Sequence, residues 1–151
     1  MRYNLTKQEK DYFCVPACLQ AVLGKYDLNF SQEGIATKIN CNENGATPED
    51  TEKFLTSINF NFLFYKYNEI PFKEPEYFIK ENLGLSHILV ALPLNSETTP
   101  KHHSTLLEEF NNPILVLLDP KDTERHFYNL DFLYSQMFEK KSGGFSLIRK
   151  L

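Results

Sequence analysis

The apolar period of this chain changes at residue 60, and that change restricts the fold more than any other feature of the sequence. Before it, apolar residues recur at helical spacing. After it, alternating and continuous apolar runs of strand length take over. A first helix is expected from about Val15 to Lys25, with Cys18, Leu19, Val22 and Leu23 as its apolar stripe. Pro16 fits its first turn, where backbone N–H groups have no intrahelical partner. A second helix starts after Ser31 as N-cap and carries Ile35 and Ile39. A third begins at Thr47, with Pro48 at the first helical position and Asp50 three residues after the cap, and presents Phe54, Leu55 and Ile58. Phe60, Phe62 and Phe64 then alternate with Asn61, Leu63 and Tyr65, which reads as a strand. A helix from about Pro75 to Asn82 is stopped by Gly84. Strands follow at His87–Leu92, Pro113–Leu118, Arg125–Leu130 and Gly144–Arg149. An insertion over 93–112 separates the first two and holds a short amphipathic piece, Ser104 to Phe110. Asp131 is the expected cap of a helix running to Glu139. Helices first and strands later specify an α+β fold, N-terminal helices packed on a C-terminal antiparallel sheet.

The 151 residues are enough for one domain, 1–151, with a core of its own. No repeat, low-complexity tract or linker divides them. Net charge is −4 and no run of Lys or Arg exceeds two residues, so a nucleic-acid partner is not expected. No stretch approaches the length of a transmembrane segment. The N-terminus lacks the apolar region of a signal peptide, so a cytoplasmic location is expected. Three cysteines without a secretory signal argue against a disulfide framework. No Cys-x-x-Cys or His-Glu-x-x-His pattern occurs, so no metal is expected, and nothing suggests an organic cofactor.

The chemistry concentrates at Cys14. A cysteine at a helix N-terminus sits in the positive end of the macrodipole, which favours thiolate over thiol. Gln8, six residues upstream, can place an amide N–H beside the sulfur, where the oxyanion of a tetrahedral intermediate forms. A thiolate nucleophile also needs a base and an orienting group. His87 opens an apolar strand and is the leading base. Asp119 follows the strand ending at Leu118 and precedes Pro120. If those two strands pair antiparallel, His87 and Asp119 meet at one sheet edge. His102 and His103 read as exposed loop residues, yet either could be the base instead. Cys18, one turn into the helix and ten residues from Gln8, reads as core packing. Cys41, between Asn40 and Asn42, reads as a loop residue without a role.

The order Gln8, Cys14, His87, Asp119-Pro120 resembles papain-like cysteine peptidases, in particular the branch that trims double-glycine leader peptides from bacteriocin precursors and its stand-alone relatives. The resemblance covers nearly the whole chain. It implies a papain-like fold and a cysteine peptidase or amide hydrolase acting on a peptide or protein substrate. Cys14 would attack the carbonyl, His87 would move the proton, Asp119 would fix the imidazole tautomer, and Gln8 with the Cys14 backbone N–H would hold the oxyanion. The chain departs from the pattern twice. Val15 stands where the family usually has glycine. His87 and Asp119 are separated by 31 residues, where the family usually has a tight hairpin. Two other functions suit the same fold: a catalytically inactive binding module, and an effector or toxin that deamidates or acylates a protein through the same cysteine.

Overall fold

The computed structural model describes residues 2–94 and 102–151; residues 95–101 of the expected insertion, and the side chain of His102, lie outside it. Three helices precede residue 60: α1 (Cys14–Gly24), α2 (Gln32–Lys38) and α3 (Pro48–Ser57). After it come β1 (Phe60–Lys66), α4 (Pro75–Leu83), β2 (His87–Pro93), β3 (His102–Asn111), β4 (Ile114–Leu118), β5 (Arg125–Asn129), α5 (Leu130–Lys140) and β6 (Gly144–Lys150). Among the described residues the strands form a six-stranded sheet in the order β1-β6-β2-β3-β4-β5, antiparallel at every neighbouring pair. The fold is α+β.

The sheet is covered on both faces. Every residue of β2 is buried, which explains why its sequence is a continuous apolar run rather than an alternating one. Successive strand side chains point to opposite faces. Leu89, Leu106, Leu118 and Ile148 join the core made with α1, α2 and α3. Ile88, Val90, Leu107, Leu117 and Phe145 join a second core with α4 and α5. Caps fix where the helices begin. The Ser31 hydroxyl accepts from the Gly34 N–H at 2.9 Å, and that of Thr47 from the Asp50 N–H at 3.2 Å. Helix α5 is capped by Asn129, whose side chain accepts from the Phe132 N–H at 3.0 Å; Asp131, the expected cap, lies inside the first turn.

The main departure from the sequence reading is β3. The Ser104–Phe110 piece is the middle of a ten-residue strand. Its adjacent Leu106 and Leu107 feed the two different cores, and a register shift between Leu107 and Glu109 breaks simple alternation. Strand β3 lies between β2 and β4 and pairs antiparallel with both, so β2 and β4 run parallel and do not touch. The start of β2 and the end of β4 therefore lie at opposite ends of the sheet. His87 pairs with Ile148 at one end. His103, paired with Leu92, lies at the other, toward which β4 runs as Leu118 pairs with Leu106.

Candidate active site

Cys14 is the first residue of α1 and is 4% exposed. No side chain caps this N-terminus and no acidic residue occupies its first turn. The positive end of the macrodipole thus acts on the sulfur without an intervening carboxylate. Helix α1 packs on β3, and this contact brings Cys14 to His103, with which it is hydrogen-bonded. His103 Nε2 lies 2.6 Å from Asp119 Oδ1, which leaves Nδ1 for the sulfur. Asp119 is held by the loop after β4. Its Oδ1 also accepts from the Lys121 N–H at 2.9 Å, and its carbonyl accepts from the Thr123 N–H at 2.7 Å.

These contacts fix the charge state. Burial alone would raise the Cys14 thiol; the bond to His103, backbone hydrogen bonds from Ser104 and Val15, and the positive charge of His103 outweigh it, and the thiol sits below its ordinary range. Burial opposes protonation of His103, but Asp119 and Cys14 on either side raise it to about 9. Burial would raise Asp119 too, and the His103 and Lys121 bonds hold it below the usual carboxylate value. The shifts of Cys14 and His103 both favour the thiolate–imidazolium form of the pair, beside a carboxylate. Such a site can deliver a sulfur nucleophile and then a proton to a leaving group.

The structure does not bring His87 into this group. Its Nδ1 lies 2.7 Å from the Tyr3 hydroxyl and its Nε2 lies 2.7 Å from that of Tyr26. Both ring nitrogens are engaged, and the ring is 7% exposed. Burial, aided by the charges of Arg2 and Lys25, depresses it to about 4, so it is a neutral structural histidine. The expectation that His87 meets Asp119 is corrected for the topological reason above. His103, an alternative in the sequence and expected in an exposed loop, takes that place from within β3. A signal for it was present: His103 and Asp119 flank two apolar runs joined near Pro113, the short hairpin connection that His87 lacks.

Gln8 is close to the group in chain connectivity. Its backbone N–H donates to the Pro120 carbonyl at 2.8 Å, beside Asp119. Its side-chain Nε2 donates to the Lys10 and Asp11 carbonyls, each at 3.0 Å. Its Oε1 is buried with no hydrogen-bond partner among the described groups. The amide is thus turned into its own loop. Val15 presents its backbone N–H to the sulfur and packs its side chain partly against the first core. Cys18 is fully buried in that core, with its thiol 3.7 Å from the Ser104 carbonyl; burial, then the charges of Cys14 and Asp119, push it well up. Cys41 is half-buried and its thiol donates to the Tyr12 carbonyl at 3.3 Å. Among the described residues, Asp119, Asp122 and His126 have ligand-type atoms within 4.8 Å of one another. Asp122 and His126 already pair at 2.8 Å, and Asp119 serves His103.

A family model described as the peptidase C39 family matches residues 2–137. No curated protein sequence matches the chain. Among solved structures, the chain is similar to the peptidase domain of Streptococcus ComA, a bifunctional ABC transporter of a quorum-sensing pathway, with 15% identity, TM-score 0.71 and 99% of each chain covered. It is similar to a double glycine motif protease from an AMS/PCAT transporter solved with the leader peptide, with 17% identity, TM-score 0.68, and 99% and 92% covered. A third likeness is to a C39-like peptidase from Bacillus anthracis, with 12% identity, TM-score 0.66, and 97% and 94% covered.

Proposed function

The chain belongs to the peptidase C39 family and is a cysteine peptidase, and from that premise we propose that it cleaves peptide bonds through Cys14, His103 and Asp119, with Gln8 assisting. The continuous contact from sulfur to imidazole to carboxylate is the observation that carries this reading. The Cys14 thiolate attacks the scissile carbonyl. The His103 imidazolium gives its proton to the leaving amine, and then as a neutral base takes one from the water that hydrolyses the thioester. Asp119 holds the ring by Nε2, so that Nδ1 faces the sulfur throughout. The Cys14 backbone N–H, at a helix N-terminus, is free of intrahelical bonding and supports the oxyanion. Gln8 adds a second donor once its Nε2 leaves the Lys10 and Asp11 carbonyls. That turn is favoured by an amide whose Oε1 is buried unpaired, a state that costs about 1–3 kcal/mol.

The substrate in this reading is a peptide, as the leader-peptide complex of the AMS/PCAT protease supports. Competitive labelling with iodoacetamide near neutral pH tests the nucleophile. Cys14 should alkylate much faster than Cys18 or Cys41, and Cys14→Ala should abolish cleavage of a peptide carrying a double-glycine site. Equal, slow labelling of all three cysteines would remove the basis of the proposal.

A further inference from the structure

The segment that carries Gln8 has no regular secondary structure, and Thr6, Lys7 and Glu9 are exposed. Its backbone is nevertheless held from inside. Gln32, the first residue of α2, is fully buried. Its Oε1 accepts from the Glu9 N–H at 2.9 Å, and its Nε2 donates to the Lys7 carbonyl at 3.0 Å, with the Thr6 carbonyl at 3.5 Å. One amide thus grips the chain on both sides of Gln8. Gln32 Nε2 also donates to Gln20 Oε1 at 3.2 Å, and Gln20 Nε2 donates to the Phe30 carbonyl at 3.1 Å. Gln20 belongs to α1, the helix that begins at Cys14. Two amides therefore link the Gln8 segment to the helix of the nucleophile. Packing alone does not call for this arrangement. A buried amide is costly unless its hydrogen bonds are made, and those of Gln32 are made largely with this segment.

We infer that Gln32 is a positioning residue for the oxyanion site, clamping the backbone around Gln8 so that the Gln8 amide swings toward the sulfur while its Cα stays fixed. The inference rests on the reading of Gln8 as an oxyanion donor. Three successive residues are held: Lys7 and Glu9 by Gln32, and Gln8 by its own N–H on the Pro120 carbonyl at 2.8 Å. The freedom left at Gln8 is in its side-chain torsions, which carry Nε2 away from the Lys10 and Asp11 carbonyls. A donor stabilises the transition state only within hydrogen-bond reach of the developing oxyanion, and a misplacement of about 1 Å can cost about 10²-fold in rate. The clamp acts on that distance without touching substrate.

A double-mutant cycle reads this role. Gln32→Glu is nearly isosteric; as a carboxylate it keeps an acceptor for the Glu9 N–H but has no donor for Lys7 or Gln20. Cleavage of a synthetic peptide carrying a double-glycine site and iodoacetamide alkylation of Cys14 are measured for the parent, Gln8→Ala, Gln32→Glu and the double variant. Both assays are run at a temperature where circular dichroism shows each chain folded. Alkylation uses the thiolate but forms no oxyanion, so it separates the two parts of the site. Gln32→Glu should lower kcat at least severalfold and at most about 10²-fold, with KM and Cys14 alkylation near those of the parent. In the Gln8→Ala background the same change should lower kcat by less than about twofold. The full loss in both backgrounds, or a parallel loss of alkylation, would overturn the inference, because a merely structural residue behaves in that way. If Gln32→Glu does not fold, Gln32→Met, of similar length and without the amide, takes its place in the cycle. The parent alone supplies a further check by hydrogen exchange. The Glu9 N–H lies on an exposed residue, yet it should exchange much more slowly than an unprotected amide; exchange at the unprotected rate sinks the clamp. Gln8→Ala without effect on kcat sinks the donor reading and the inference together, whereas a loss for Gln8→Ala with none for Gln32→Glu sinks the clamp alone.

Discussion

The imidazole of His103 stands between a sulfur and a carboxylate, so its removal acts on both. His103→Ala should lower peptide cleavage by about 10²–10⁴-fold and slow alkylation of Cys14, because the thiolate loses its partner; a peptide assay run beside iodoacetamide labelling checks this. His87 should behave in the opposite way. A glutamine at 87 can donate to one tyrosine and accept from the other, so His87→Gln should leave Cys14 labelling unchanged. It should alter the response of stability to acid. The unfolded chain takes up a proton at position 87 near 6.5, the folded chain only near 4. Between those values the unfolded state holds more protons, so stability falls as pH drops through that window and is flat below it. Thermal melts at pH 4, 5 and 6.5 should show a smaller decline for His87→Gln than for the parent. Cys14 stood out in the sequence as the candidate nucleophile, because a helix start and an upstream glutamine are local features. The sequence did not reveal which histidine lies between Cys14 and Asp119, because the choice among His87, His102 and His103 depends on which strands are neighbours, and that is a long-range property.

Element boundaries were legible wherever a side chain closes a helix end locally. Ser31 and Thr47 cap the helices they precede. The misreading at α5 came from two plausible caps two residues apart, and only the backbone shows that Asn129 accepts from Phe132 while Asp131 is already helical. The two have different energetic weights. Asn129→Ala should destabilise the protein by about 0.5–2 kcal/mol, the usual cost of losing an N-cap. Asp131→Ala should cost only about 0.3–1 kcal/mol, through the macrodipole. Urea denaturation of the two variants measures the difference, and neither should change Cys14 labelling, since α5 packs on the face of the sheet opposite α1. Strand β3 was read as a short amphipathic piece because its burial does not follow a period of two. With helices on both faces, Leu106 and Leu107 are both fully buried, and the shift before Glu109 removes what alternation remained.

At the scale of the whole molecule, the N-terminal segment ties the two ends of the sheet together. Tyr3 is buried against His87 at one end, and the Gln8 N–H reaches Pro120 beside Asp119 at the other. Between them, the Arg2 N–H donates to Glu108, a buried carboxylate on β3 that also pairs with Arg125 at the start of β5. The segment therefore touches the strand that carries His103 and the loop that carries Asp119, although it is not itself a strand of the sheet. Deleting residues 1–7 should have two separable effects. Loss of Tyr3 from its buried site should lower stability by about 3–5 kcal/mol, as for removal of a large aromatic side chain. Loss of the Glu108 anchor, and of the residues that lead Gln8 to Pro120, should let the Asp119 loop and the 8–13 turn move relative to α1, weakening the His103–Cys14 contact. Cys14 alkylation should then slow toward the rate of Cys41 even at temperatures where circular dichroism shows the truncated chain still folded. Tyr3→Ala supplies the control, because it removes the aromatic but keeps both anchors; its stability should fall while its labelling rate stays near that of the parent. Unchanged labelling in the truncated chain would mean that α1 and β3 position the thiolate without help from the segment.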